Sequence, residues 1–181
     1  MDRLIKVENI KDILPIYKNT AIEKLFKYHN LGYKLEKYDN AELLVGMCMD
    51  NRKQLNIPNN FAYILRTGGG NLRYSEFKIS YAIAVGGVKA LALIGHNRCG
   101  MVNLMNKKER FIQGLVDNAG WDRNQAEEHF MSFAPMFEIE NETSFLLGET
   151  KRLREKYPKI LTAPLFYNVD DNLLYLVKEN N

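Results

Sequence analysis

Cysteine is scarce in this chain: its 181 residues hold two, Cys48 and Cys99, beside three histidines, one tryptophan and five prolines. Two thiols cannot build the disulfide framework of a small secreted scaffold. In a reducing compartment, thiols are more often buried, catalytic or metal-bound. Long apolar runs are missing as well. The opening MDRLIKVENIKDILPIYKNT has no stretch of signal-peptide length, and no segment reaches the roughly 20 apolar residues of a membrane span. Neither sign of charge dominates, since 25 Lys and Arg against 22 Asp and Glu leave a net charge of +3. The basic residues are interspersed rather than striped, which gives no footprint for a nucleic acid. A soluble cytoplasmic protein with no nucleic-acid or membrane partner is therefore expected. Repeats, low-complexity tracts and Gly/Ser/Pro linkers are absent too, so residues 1–181 read as a single domain large enough to bury a core without staples. The triple glycine Gly68-Gly69-Gly70 lacks the later glycine of a dinucleotide fingerprint and any Gly-Lys-Ser/Thr. It reads as a turn allowing close backbone approach.

What is present is an alternation of strands and helices. Helical spacing of Ile22, Leu25 and Phe26 predicts a helix over 19–29. Continuous apolar runs at 42–48, 60–66 and 89–95 read as strands covered on both faces. Asn71 is expected to cap a helix with an apolar face of Tyr74, Phe77, Tyr81 and Ala84, ending near Gly86. Further helices are expected over 108–118, 122–134 and 142–156, the last stopped by Pro158. The runs APLFYNV and LLYLV flank Asp170-Asp171-Asn172 and read as a hairpin. The fold class expected is α/β: a mostly parallel central sheet flanked by helices. Its strand order is 2-1-3-4, with an added edge strand from the C-terminal hairpin.

That topology brings chemistry to one place. Cys48 ends the first parallel strand, and His96 and Cys99 lie just beyond the end of the third, so all three meet at one sheet edge. Open α/β sheets bind ligands there, where strand order reverses. Each residue has an ordinary explanation, a strand-end cysteine as a small core hydrophobe and a loop Asp–Arg pair as a surface contact. Their conjunction points further. Two thiolates and an imidazole are a zinc ligand set, and three protein ligands leave a tetrahedral position open. Only Asp50, His29 or His129 remains to fill it. Thiolates donate more electron density than imidazoles and weaken the acidity of bound water. Asp50, two residues from a ligand, can accept a proton at the metal, and Arg52 can hold its carboxylate bidentately.

The strings Cys48-x-Asp50-x-Arg52 and His96-x-x-Cys99 together resemble the β-class carbonic anhydrases. FAYILRTGGGNL, SYAIAVGGVKALALIGHNRCGM and APLFYNVDDNLLYLV are similar to that family's successive elements. The likeness is close over 40–105 and looser over 140–177. It suits the small archaeal- and bacterial-type members. The resemblance implies one Zn2+ per chain, held by Cys48, His96 and Cys99, with Asp50 as fourth ligand in a closed state. It implies Asp50 and Arg52 as catalytic residues, and Gly100, opening a helix, as an amide donor to bicarbonate. The reaction implied is reversible hydration of CO2 to bicarbonate and a proton by zinc-bound hydroxide. Self-association as a homodimer or tetramer is implied as well, the amino-terminal helix wrapping a neighbour. The sequence departs from the family at Arg66-Thr67-Gly68-Gly69, usually Arg-Asn-Ala-Gly, and at Arg98, often acidic. Two alternatives stand beside this reading: a hydrolase of carbonyl sulfide or carbon disulfide on the same fold, and a non-catalytic zinc-stabilised regulatory module with Asp50 closing the metal. Beyond its two expected helices, segment 106–140 carries no pattern that gives it a role.

Overall fold

Leu43–Cys48 (β2) and Ala90–His96 (β4) are buried at every position, as continuous apolar strands with cover on both faces must be. The computed structural model describes residues 3–179. The remaining elements are strands Leu4–Lys6 (β1), Ala62–Thr67 (β3), Leu161–Asn168 (β5) and Leu173–Val177 (β6), and five helices: Ala21–His29 (α1), Glu76–Ala84 (α2), Lys108–Ala119 (α3), Arg123–Phe137 (α4) and Glu142–Lys156 (α5). The six strands form one sheet in the order β1-β6-β5-β4-β2-β3. Strands β3, β2, β4 and β5 run parallel, and β6 returns antiparallel to β5. This is the expected 2-1-3-4 order with the hairpin strand added. The edge beyond β6 is covered by β1, which pairs Leu4 with Val177; three residues are too few to show an alternating pattern in sequence.

The sheet has a core on each face. On one, Ile22, Leu25 and Phe26 of α1 meet Val45, Met47, Ala92, Ile94 and Leu165. Each fully buried side chain of this kind contributes about 1.5–3 kcal/mol relative to exposure. Thr20 caps the helix, its Oγ1 accepting from the Ile22 amide at 3.2 Å. α1 thus spends its apolar face on its own sheet. On the other face Ile79, Leu146 and Leu153 pack with Leu44, Leu91, Leu93 and Phe166.

Three expectations are corrected. β3 is an edge strand with Tyr63 and Ile64 exposed; an apolar run does not tell a central strand from an edge that something else covers. In α2 the buried residues are Ile79 and Ala82, while Tyr74, Phe77 and Tyr81 face outward, Phe77 at 83% exposure. Two stripes share the helical period, and the smaller side chains fit against Leu44 and Leu72. Ser75, not Asn71, precedes this helix; Asn71 is buried, donating to the Met136 carbonyl at 2.8 Å.

Helices α3 and α4 form a pair turning at Gly120, whose φ of 69° ends α3 in the left-handed region. The pair is tied to the ligand loop by Ile139, whose amide donates to the Met101 carbonyl at 3.0 Å. Residues 106–140 therefore wall one side of the strand-end edge. Among the described residues no helix is long and apolar enough to cross a membrane.

Candidate metal centre

β2 and β4 are hydrogen-bonded parallel neighbours, and Met47 lies opposite Ile94. Cys48 and His96, the last residues of the two strands, therefore emerge at the same edge. The chain then turns through Asn97 and Arg98, the latter at φ 56°, and returns Cys99 to the cluster. The loop is anchored from three directions. Asn97 accepts from the Val169 amide at 2.8 Å and donates to Asp170 at 3.0 Å. Glu142, in the first turn of α5, accepts from the Cys99 amide at 3.2 Å. The Arg98 side chain pairs with Asp170 at the surface, away from the cluster.

The Cys48 and Cys99 sulfurs are 3.9 Å apart. Two sulfurs at about 2.3 Å from one ion, at a tetrahedral angle, would lie about 3.8 Å apart. One ligand atom from each of Cys48, His96 and Cys99 lies within 4.8 Å of the other two, and all three residues are buried. His96 Nδ1 lies 3.0 Å from the Asn97 carbonyl oxygen. A carbonyl only accepts, so Nδ1 carries the proton and Nε2 is left with its lone pair. That Nε2 is buried without a hydrogen-bond partner, as is expected of an atom meant for a metal. The two thiols shift in opposite directions through their 3.9 Å contact. The Cys99 contact, then His96 and the Asp50 amide, lower the Cys48 thiol well below its ordinary value. The same contact and burial push Cys99 up. The donors fit a zinc ion.

Asp50 and Arg52 lie beside the cluster as a bidentate pair. Arg52 Nε reaches Oδ1 at 2.9 Å and Nη2 reaches Oδ2 at 2.6 Å, with the Arg52 amide donating to Oδ1 at 3.0 Å. Nη2 also donates to the Arg98 carbonyl at 2.9 Å, so the pair is pinned to the ligand loop. The Arg52 guanidinium holds the Asp50 carboxyl well below the usual carboxylate range. Behind it Arg66 donates to the carbonyls of Cys48 and Asp50, both at 3.4 Å, and of Lys53 at 3.0 Å. Lys53, which sequence reasoning passed over, is buried here. A lysine one place after Arg52 carries no sequence sign that its head group turns inward.

The other candidates separate from the centre. His29 ends α1, accepts from the Asn56 amide at 3.1 Å and packs on Tyr167; burial lowers its pKa. His129 sits among Phe111, Trp121 and Phe133 on the α3–α4 pair. Gly100 does not open a helix: Cys99 to Val102 is a turn closed by the Val102 amide on the Cys99 carbonyl at 3.2 Å, and α3 starts at Lys108. No helix dipole supports its amide. Gly70, at φ 76°, lets the backbone pass 3.6 Å from the Cys48 nitrogen, measured from where a Cβ would sit. The Thr67 hydroxyl opposite Cys48 is buried and unpartnered. A pocket of about 270 Å³ opens next to these loops, with Met49, Gly68 and Met101 on one wall and Phe111, Phe133 and Phe137 on the other.

No protein-family model matches the chain, and no curated protein matches it in sequence. Solved structures do match. The β-carbonic anhydrase isoform I of Trichomonas vaginalis is 16% identical, with 93% of this chain and 100% of that one covered and a TM-score of 0.63. A carbonic anhydrase from Streptococcus mutans is 15% identical, with coverages of 92% and 99% and a TM-score of 0.59. The apo form of a carbon disulfide hydrolase is 19% identical, with coverages of 78% and 80% and a TM-score of 0.54. At such identities the likeness is one of architecture, and the chain has the β-carbonic anhydrase fold.

Proposed function

We propose that this protein is a zinc-dependent carbonic anhydrase of the β class, interconverting CO2 with bicarbonate and a proton. The observation that carries the proposal is the buried Cys48, His96 and Cys99 triad with the Asp50–Arg52 pair pinned at its side. One Zn2+ per chain, held by those three residues, would lower the pKa of a coordinated water toward 7 and supply hydroxide at neutral pH. The protein's own groups do the rest. Asp50, kept ionised by Arg52, would accept a hydrogen bond from the nucleophile at a carboxylate oxygen and so aim its lone pair. Arg52, bridging Asp50 and the Arg98 carbonyl, fixes that carboxylate relative to the ligand loop. Asp50 would become a fourth ligand by giving up Arg52; while it stays paired with Arg52, the fourth position would be left to solvent. The Gly100 amide is assigned to a bicarbonate oxygen.

The functional unit we propose is a homodimer, with pairs of dimers as a further step, in the cytoplasm where thiols stay reduced. The free β3 edge and the outward Tyr74, Phe77, Tyr81 and Val85 support a self-association face. Stopped-flow CO2 hydration with a pH indicator tests the activity. Zinc-loaded protein should exceed the buffer rate, and Cys48→Ser should return it to buffer. An intact, zinc-loaded protein no faster than buffer refutes the assignment.

One observation favours a second reading, hydrolysis of carbonyl sulfide or carbon disulfide. A pocket walled by Met49, Met101, Phe133 and Phe137 adjoins the cluster through Met101, which packs against the Cys48 and Cys99 group, and its lining suits a more polarisable, less hydrated substrate than CO2. Sulfide release without CO2 turnover would establish it.

A further inference from the structure

Lys53 is 1% exposed, and a lysine is almost never fully buried unless it is paired. Among the described residues its ammonium has one hydrogen bond, a 3.5 Å contact with the Asp50 carbonyl oxygen, and no carboxylate partner. The Asp50 carboxylate is already taken by Arg52. Arg66, bound to the Lys53 carbonyl at 3.0 Å, adds a second cation rather than a counter-charge. Burial lowers the Lys53 pKa, and the groups that oppose this and favour the ammonium are Cys48, Asp50 and Cys99. The head group lies against the Asp50 backbone, two residues past Cys48, in a place where an aliphatic side chain would be buried without this cost.

The inference rests on the metal centre proposed above. A divalent ion there neutralises two thiolates, and Arg52 neutralises Asp50. Lys53 and Arg66, both donating to the Asp50 carbonyl, are then surplus positive charge behind the end of the Cys48 strand. We propose that Lys53 is a specificity-determining residue of this centre: a fixed buried cation that draws small monovalent anions, bicarbonate among them, onto the fourth ligand position. Hydration yields such an anion from a neutral substrate, so the same charge favours product formation and slows product departure. A unit charge within about 12 Å, at an effective dielectric near 20, changes anion affinity about tenfold or more.

The test uses full-length protein with cobalt in place of zinc, whose visible bands report the ligand at the open position. Azide is titrated as the anionic probe and neutral imidazole, at pH 8, as the uncharged one. Lys53→Met, similar in length and without charge, should bind azide about tenfold more weakly, with cobalt content, azide-free spectrum and imidazole affinity unchanged. Lys53→Gln should do the same, and Lys53→Arg should stay within about threefold of the parent. Equal azide affinity in the parent and both neutral variants overturns the proposal. Parallel loss of azide and imidazole affinity also overturns it, because a structural disturbance does not discriminate by charge. Loss of cobalt from the neutral variants assigns Lys53 to metal retention instead. A parent protein that takes up no cobalt refutes the metal centre itself, which separates the two failures.

Discussion

Free zinc should set the thermal stability of this protein. The candidate ligands sit at the ends of β2 and β4 and on the loop after β4, and the two sulfurs are already 3.9 Å apart, so the folded chain presents a site that the unfolded chain lacks. A ligand that binds only the folded state adds about 2.7 kcal/mol at 100 times its dissociation constant, and about 1.4 kcal/mol for each further tenfold. For 181 residues, at about 2.1 cal/mol/K of unfolding entropy per residue, each tenfold in free zinc raises Tm by about 3–4 °C. The assay is scanning calorimetry in reducing buffer with free zinc clamped by chelators over several decades. Cys48→Ser and Cys99→Ser should flatten the slope. If the two cysteines were only small core hydrophobes, Tm would ignore free zinc, and the serine variants would lose the same stability with and without it. That result would refute the reasoning.

Other consequences follow from particular contacts. Asp50→Asn should lower turnover about 100-fold or more, as expected for loss of a positioned, charged hydrogen-bond acceptor, with zinc content unchanged. Because the Asp50 pKa is depressed in the folded state, its contribution to stability is present above the unfolded carboxylate value and is lost as pH falls through the folded one. The Tm gap between parent and Asp50→Asn should therefore persist through neutral and mildly acidic pH and close only in strong acid. Glu149 is fully buried on α5 against Arg152 at 2.7 and 2.9 Å. Glu149→Ala removes one of the two carboxylates that Arg152 holds, leaving it Glu76, and should cost about 1.5–3 kcal/mol in urea unfolding; a loss under 1 kcal/mol would contradict the role given to that pair. Phe77→Glu, on the outward face of α2, should convert a dimer to a monomer in light scattering without changing the circular dichroism; an unchanged mass moves the interface elsewhere.

The strands that carry the ligands were legible because burial on both faces leaves no polar positions: LLVGMC and ALALIGH announce themselves. Cys48, His96 and Cys99 could be brought together from strand order alone, since right-handed parallel crossovers fix which strand ends adjoin. Asp50 and Arg52 could be paired from their spacing. Other features depend on what surrounds them. Tyr63 and Ile64 are as apolar as central-strand residues, yet lie on an edge. The aromatic stripe of α2 outweighs Ile79 and Ala82 in sequence, but the space against Leu72 and Leu44 admits the smaller pair. Gly100 follows a ligand, as expected, but the chain turns there before any helix starts. Lys53 and the Glu142 support of Cys99 are tertiary facts, joining residues that local pattern cannot connect.

The central claim is a single divalent ion held by two sulfurs and one imidazole with a fourth, light-atom position open to solvent. X-ray absorption at the zinc edge of the purified protein tests it most directly. The account predicts two sulfurs at about 2.3 Å and two nitrogen or oxygen scatterers at about 2.0–2.1 Å, with one sulfur lost in Cys99→Ser. A shell without sulfur, or one that Cys99→Ser leaves unchanged, would contradict it.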